Sequence, residues 1–371
     1  MRVAVIFTFD YSLKTWESSG TLQKELKPYQ ILNQKYGVNF TFITYGNSSD
    51  KNIDTKINGI KIIPIYEKFN KSSNKFINYI KSFVFPIYLS SNLKDIDIIK
   101  QNQLLGSWVS IILKFLINKP LITRTGYDMY EFSILEMKKY YIKFLYKYLT
   151  KFTLKFSNLY TVSSKSDYKF LKENFKKTQI SIRPNWVSLD GFFEFDKRPK
   201  NKILSVGRLE KQKNYKYLIK SFKDSSFSID LIGEGSEKDS LKLLSKKYNV
   251  DVNFLDRVSN EKILTILPNY RYFITPSLYE GNPKTVLEAL SRGCVVFASN
   301  IKNHKEIIDH GKNGFLFDLD KDNLFSVFQK EISNSENIEF ISLKGFENIK
   351  KTNSIDICVN REYLDFKKLL N

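Results

Sequence analysis

Short β-branched and aromatic runs alternate along the chain with longer segments of helical periodicity. In the first half, residues 2–8, 39–45, 60–64, 96–100, 121–124 and 159–163 predict strands, and 20–36, 72–90, 103–117, 131–156 and 165–174 predict helices. The pattern loosens from Arg183 to about Asn201, where Pro199 falls. A second alternating series follows, with strands at 202–206, 228–232, 251–255, 272–275, 295–298 and 314–317. Its helices fall at 215–222, 236–248, 260–267, 283–292 and 304–308, and a closing helical segment runs from about 337 and ends in 354–370. Alternation of this kind implies parallel sheets covered by helices, with ligands beyond the carboxyl ends of the strands. The expected fold class is therefore α/β, with two tandem Rossmann-like doubly wound domains and a ligand cleft between them. The domains are expected at 1–186 and 187–353, with a C-terminal helix at 354–371 packing back on the first.

The densest chemistry lies in 272–293. A strand ends at Pro276, a polar turn carries Glu280 and Gly281, and Asn282-Pro283 reads as an N-cap followed by proline at the first helical position. Backbone amides from Asn282 through Pro283, Lys284 and Thr285 to Val286 then sit at the positive end of a helix dipole, which suits an anion. Glu288 would stand roughly 9 Å along that helix at 1.5 Å per residue. Glu280 and Glu288 either bracket a ligand or are solvated surface acids.

The loop after the strand at 202–206 carries Gly207, Arg208 and Lys213. Glycine lets a ligand approach the backbone, and a guanidinium with an ammonium clamps a diphosphate and takes up charge on a departing phosphate. The alternative is a basic surface loop. Gly233-Glu234-Gly235 lacks the third glycine of a dinucleotide fingerprint and is weak alone. Gly20 lies in the polar loop after the first strand, and Arg124 and Asp128 flank a turn that would reach an acceptor. Within 138–157, lysines 139, 143, 147, 151 and 155 run beside Tyr140, Phe144, Tyr148, Phe152 and Phe156 at four-residue spacing. Such stripes either meet an anionic membrane surface or pack the rings on the domain's own sheet.

With 371 residues, 42% of them hydrophobic, the chain is long enough for two cores and is not disordered in class. Cys294 and Cys358 form neither a disulfide framework nor a zinc spacing, so a reducing compartment is expected. His304 and His310 are the only histidines, which argues against a histidine metal site or a Ser-His-Asp triad. The N-terminus reads as a strand rather than a signal peptide, and no long uncharged apolar run occurs. A formal net charge of +20 points to an anionic partner, although the Lys, Asn, Ile, Phe and Tyr bias also fits an A/T-rich genome.

Taken together, Val206-Gly207-Arg208-Leu209 with Gln212-Lys213-Asn214, the pair Glu280 and Glu288 with seven residues between them, and Gly311 to Phe317 are similar to the family 4 retaining glycosyltransferases of the GT-B architecture. The resemblance is strongest over 201–317. Trp16, Gly20, Gln103, Trp108 and Arg124-Thr125-Gly126-Tyr127 resemble a subgroup that builds surface polysaccharide and lipopolysaccharide. It implies transfer of a sugar from a UDP- or GDP-sugar to a glycan or lipid-linked glycan. Arg208 and Lys213 would hold the diphosphate, Glu280 would face the donor sugar, and Glu288 would hold the ribose. The amides at 282–286 would hold sugar and phosphate, Gly20, Gly207 and Gly233 would allow close approach, and Arg257 with Val258 would meet the base. Arg124 and Asp128 are the acceptor-side candidates, since the histidine many relatives carry there is missing, and Asn282 stands where many have Phe. No cofactor and no metal are expected, because no Asp-x-Asp stands in a strand-end loop of the second half. The expected place is the cytoplasm, peripheral at the inner face of the plasma membrane. The competing readings are a glycan phosphorylase or synthase, a non-catalytic anion- or nucleic-acid-binding protein, and a binding-only paralogue.

Overall fold

The computed structural model describes residues 1–175, 179–189, 194–333 and 335–371. It divides into two compact units, Met1–Pro184 with Val359–Asn371, and Asn185–Cys358. Part of the loose stretch read at 183–201, residues 190–193, lies outside the described residues.

The first unit is built on seven strands, β1 (Arg2–Ile6), β2 (Asn39–Thr44), β3 (Lys61–Pro64), β4 (Ile98–Asn102), β5 (Leu121–Thr125), β6 (Leu159–Val162) and β7 (Ile180–Ile182). They are all parallel, in the order β3-β2-β1-β4-β5-β6-β7. Val3 to Ile6 are wholly buried, as a central parallel strand covered on both faces must be. The helices are α1 (Leu13–Ser18), α2 (Leu22–Tyr36), α3 (Ile65–Lys68), α4 (Lys75–Lys81), α5 (Phe85–Asn92), α6 (Ser107–Ile117), α7 (Met129–Leu135), α8 (Tyr140–Phe156) and α9 (Lys165–Asn174).

Three expectations are corrected here. The single helix read at 131–156 is two, α7 and α8, because Met137 takes a left-handed φ of 50° and Lys138 N–H turns back to the Ser133 carbonyl. The helix read at 72–90 is likewise two, with Pro86 in the opening turn of α5, where a missing N–H costs nothing. Gly20 does not follow β1 directly. The short α1 intervenes, and Gly20, at φ 67°, turns the chain after it while donating to the Glu17 carbonyl.

The second unit has six parallel strands, β8 (Lys202–Val206), β9 (Ser228–Ile232), β10 (Val252–Leu255), β11 (Tyr272–Thr275), β12 (Val295–Ser299) and β13 (Phe315–Phe317). Their order is β10-β9-β8-β11-β12-β13. Successive residues alternate between the two covered faces. Ile203, Tyr272, Ile274, Val295 and Phe297 enter one core cluster, and Leu204, Phe273, Val296 and Ala298 enter the other. The helices are α10 (Tyr215–Ser221), α11 (Lys238–Lys247), α12 (Asn260–Ile266), α13 (Lys284–Ser291), α14 (Lys302–Lys305), α15 (Leu324–Ile332) and α16 (Ser335–Asn353). A last helix, α17 (Ile355–Leu370), starts in the second unit and ends in the first. There Glu362 pairs with Lys100 of β4, and Arg183 Nε donates to Asp365 at 2.7 Å. Among the described residues no helix is long and apolar enough to cross a membrane.

Candidate functional site

The order of the second sheet reverses between β8 and β11, whose neighbours continue outward on either side. Loops leaving the carboxyl ends of two such strands part in opposite directions and open a crevice, the usual ligand position in this class of sheet. Here the two loops are also knitted together. Leu278 N–H donates to the Gln212 carbonyl at 2.9 Å, and Gln212 Nε2 donates to the Tyr279 carbonyl at 2.8 Å.

This knitting brings Lys213 to Glu280. Lys213 Nζ donates to Glu280 Oε1 at 2.5 Å, and Ser277 Oγ donates to the same oxygen at 2.7 Å. Both charged side chains are largely buried, at 13% and 8% exposure. Burial pushes the Glu280 carboxyl up, but the Lys213 ammonium and the hydrogen bonds from Lys213 and Ser277 outweigh it. The net effect holds the carboxylate below its ordinary range. Arg208, exposed, donates from Nη2 to Gln212 Oε1 at 3.3 Å. A cation fixed by a carboxylate and a second cation open to solvent thus stand on one loop.

Gly207 begins that loop, and a Cβ there would meet Tyr215 Oη at 2.6 Å and Lys213 Cε at 3.2 Å. Gly233 has a structural role. Its φ is 153°, and a Cβ would lie 1.9 Å from the Gly207 carbonyl oxygen, so the loop after β9 crosses the loop after β8 only without a side chain. A Cβ on Gly235 would meet the Leu209 carbonyl oxygen at 2.4 Å.

Glu288 lies in α13 at 3% exposure, and Asn260 Nδ2 donates to its Oε1 at 2.9 Å. The surface-acid alternative fails for both glutamates. Asn260 opens α12 just after Arg257, which is exposed, and Val258, which packs half-buried on the core cluster of Leu204 and Phe273. The loop after β10 is therefore tied to Glu288.

The expected helix start is corrected. Pro283 is the cap residue and α13 begins at Lys284. Asn282 does not cap it, because its side-chain oxygen accepts from the Asn185 amide at 3.3 Å and its carbonyl from Asn185 Nδ2 at 3.1 Å. Val286 N–H is also committed, donating to the Pro283 carbonyl at 3.1 Å. Gly281, Lys284 and Thr285 are half-buried beside it.

His304, at 0% exposure, is a neighbour that sequence reasoning set aside. Its Nδ1 bonds the Ser299 carbonyl at 2.8 Å, while Ser299 Oγ donates to the Ser277 carbonyl at 2.5 Å. Burial pushes the imidazole down to about 4, against the pull of nearby Glu280, so it stands neutral. The signal was the alternation itself. In a parallel sheet the turn after β12 adjoins the turn after β11.

The remaining candidates belong to the first unit. Arg124, at the end of β5, helps Lys100 keep the Glu362 carboxylate ionised against its burial. Asp128 is the cap of α7. Its Oδ1 accepts from the Glu131 amide at 2.7 Å, and Oδ2 has no hydrogen-bond partner among the described residues. Burial pushes that carboxyl up to about 7.

Residues 192–336 match the family model described as "Glycosyl transferases group 1". An uncharacterized glycosyltransferase of Haemophilus influenzae is 30% identical over 153 residues, covering 39% of this chain and 43% of that protein. The UDP-Gal:alpha-D-GlcNAc-diphosphoundecaprenol alpha-1,3-galactosyltransferase of Escherichia coli is 29% identical over 220 residues, covering 49% of this chain and 56% of that one. The chain thus spans about half the length of these relatives. The sucrose-phosphate synthase of Thermosynechococcus elongatus superposes with a TM-score of 0.80 at 14% identity, over 100% of this chain and 99% of that chain. The fold is GT-B.

Proposed function

We propose, from the match of residues 192–336 to the group 1 glycosyl transferases, that the protein moves a sugar from a nucleotide-diphosphate sugar to a glycan or lipid-linked glycan acceptor. The observation that carries this reading is the buried Lys213–Glu280 pair at the strand-order reversal, with Arg208 open beside it. Arg208 and Lys213 bind the diphosphate, Glu288 binds the ribose, and Glu280 faces the donor sugar. The loop of Arg257 and Val258 meets the base, and the backbone from Gly281 to Thr285 meets sugar and phosphate. Arg124 and Asp128 of the first unit are the acceptor-side candidates. A relative named for a UDP-sugar donor and a diphosphoundecaprenol acceptor, and another named for capsular polysaccharide biosynthesis, support a lipid-linked acceptor in polysaccharide assembly.

The transfer retains configuration. The bond from the anomeric carbon to the phosphate oxygen breaks with its electron pair leaving on the diphosphate. The acceptor hydroxyl bonds the anomeric carbon from the same face, and its proton passes to the departing phosphate oxygen. Charge develops on that phosphate, and fixed cations aimed at it stabilise the transition state without reorganisation. Arg208 and Lys213 supply this charge, so the reaction needs no metal and no cofactor. Glu280 orients Lys213 and screens positive charge developing on the sugar.

A thermal-shift panel of UDP, GDP, ADP and their sugar conjugates, with and without EDTA, tests the reading. A ligand well above its dissociation constant stabilises the folded state by a few kcal/mol. The expected result is a shift with one nucleotide, insensitive to EDTA and abolished in Glu288→Ala. No shift with any nucleotide overturns the donor assignment, and a shift that EDTA removes overturns the metal-free mechanism.

A further inference from the structure

We propose that α4, α5, α6 and α8 present one surface of the first unit that docks on an anionic lipid bilayer. The inference goes beyond the donor-site reading and stands on the first unit alone.

The face of α8 that packs on its unit is marked by Thr150, Thr153 and Leu154, with Thr153 bonded to Ser107 of α6 at 2.7 Å between hydroxyls. The opposite arc is open. Tyr140 is 81% exposed and Tyr141 64%, and Phe144, Leu145, Tyr148 and Phe152 follow on the same arc. The rings of the α8 stripe therefore do not all pack on the sheet, and exposed Lys147 and Lys151 interleave with them. The apolar surface continues across neighbouring helices. In chain order α5 packs on α6, and α6 packs on α8. Phe115, 62% exposed, joins α6 to α8 through a ring contact with Phe156 at 5.4 Å. On α4, α5 and the turn between them, Phe76, Ile80, Val84 and Ile87 are exposed as well. Exposed apolar side chains gathered on helices that pack on one another mark an interaction site.

Charge decides the occupant. No Asp or Glu occurs in 69–94, 103–127 or 137–166, the segments that supply these helices. Lysines with aromatic and branched aliphatic side chains are what a helix lying in the headgroup layer needs. A second copy of the chain would set lysines against lysines with no acid opposite. Nucleic acid would leave Ile80, Val84, Ile87 and Leu145 without base planes to match.

The test is co-sedimentation of the full chain with vesicles of phosphatidylcholine alone or mixed with phosphatidylglycerol, at low and high salt. Each lysine near an anionic surface is worth roughly fivefold in binding, so Lys139→Glu/Lys147→Glu/Lys151→Glu is expected to weaken capture by about a hundredfold or more. Tyr141→Ala/Phe144→Ala is expected to weaken it while leaving its salt dependence in place. Unchanged melting temperatures check that both variants fold. Equal capture by neutral vesicles, undiminished capture of the triple variant, tighter binding to duplex DNA, or a dimer that hides this face each overturns the proposal. The nucleotide shift is read on the same samples, so loss of donor binding with lipid capture intact counts against the donor site only.

Discussion

At the scale of single residues, Lys213 and Glu280 are worth more to each other than either is to the fold. Removing one partner leaves a buried charge uncompensated, which costs about 3–5 kcal/mol, whereas replacing both by apolar groups is often close to neutral. Lys213→Met and Glu280→Leu are each expected to lower stability sharply, and the double variant by much less than their sum. Urea midpoints of the three proteins measure that coupling, and simple additivity would disprove the pairing. All three should lose transfer activity. His304 gives a separate acid signature. Its pKa is depressed to about 4 in the folded chain, against about 6.5 when free. The unfolded chain therefore binds the extra proton, and stability falls as the pH drops from about 6.5 to about 4, by roughly 3 kcal/mol. Glu280 is also depressed, so its contribution holds above about 4.3 and is lost below that, as pH falls through its lower folded value. The difference in unfolding free energy between the wild type and His304→Gln should fall by roughly 3 kcal/mol as the pH drops from about 6.5 to about 4, a comparison in which the opposite contribution of Asp128, whose carboxyl burial raises to about 7, cancels. Loss of both windows together would show that the two groups do not titrate separately.

At the scale of elements, α17 holds an ion of the first sheet. Lys100 is buried, and the Glu362 carboxylate, with help from Tyr29, outweighs that burial and keeps the ammonium charged. Glu362→Ala is expected to cost about 3–5 kcal/mol, since it strands Lys100. Hydrogen exchange at β4 and β5 reports it, and unchanged protection there would refute the role given to the pair. All the strands except β7 were legible, because each buried parallel strand must fill two faces, which writes an unbroken apolar run such as Val3 to Phe7; β7 is three half-buried residues at the sheet edge and was missed. Helix interruptions were less so. No Gly or Pro interrupts 131–156, and only the backbone of Met137 breaks the helix there. The six residues of α1 are too few to show a period.

At the scale of the whole molecule, the loops of the candidate site were legible and their hydrogen-bond partners were not. Residue type and position after a strand pointed to Lys213, Glu280 and Glu288. That Ser277, Gln212 and Asn260 would complete those groups depends on which strand lies beside which, and local sequence does not carry strand order. The same limit misassigned Asn282, whose tie to Asn185 spans 97 positions. One consequence of the chain's route is temporal. Lys100 and Glu362 lie 262 positions apart, and a ribosome adding 5–20 residues per second needs roughly 13–50 s to supply the second after the first. The second unit is a single unbroken segment and is synthesised entirely within that interval. The first unit is thus completed only after the whole of the second has been made, and its buried ammonium waits for α17 to emerge.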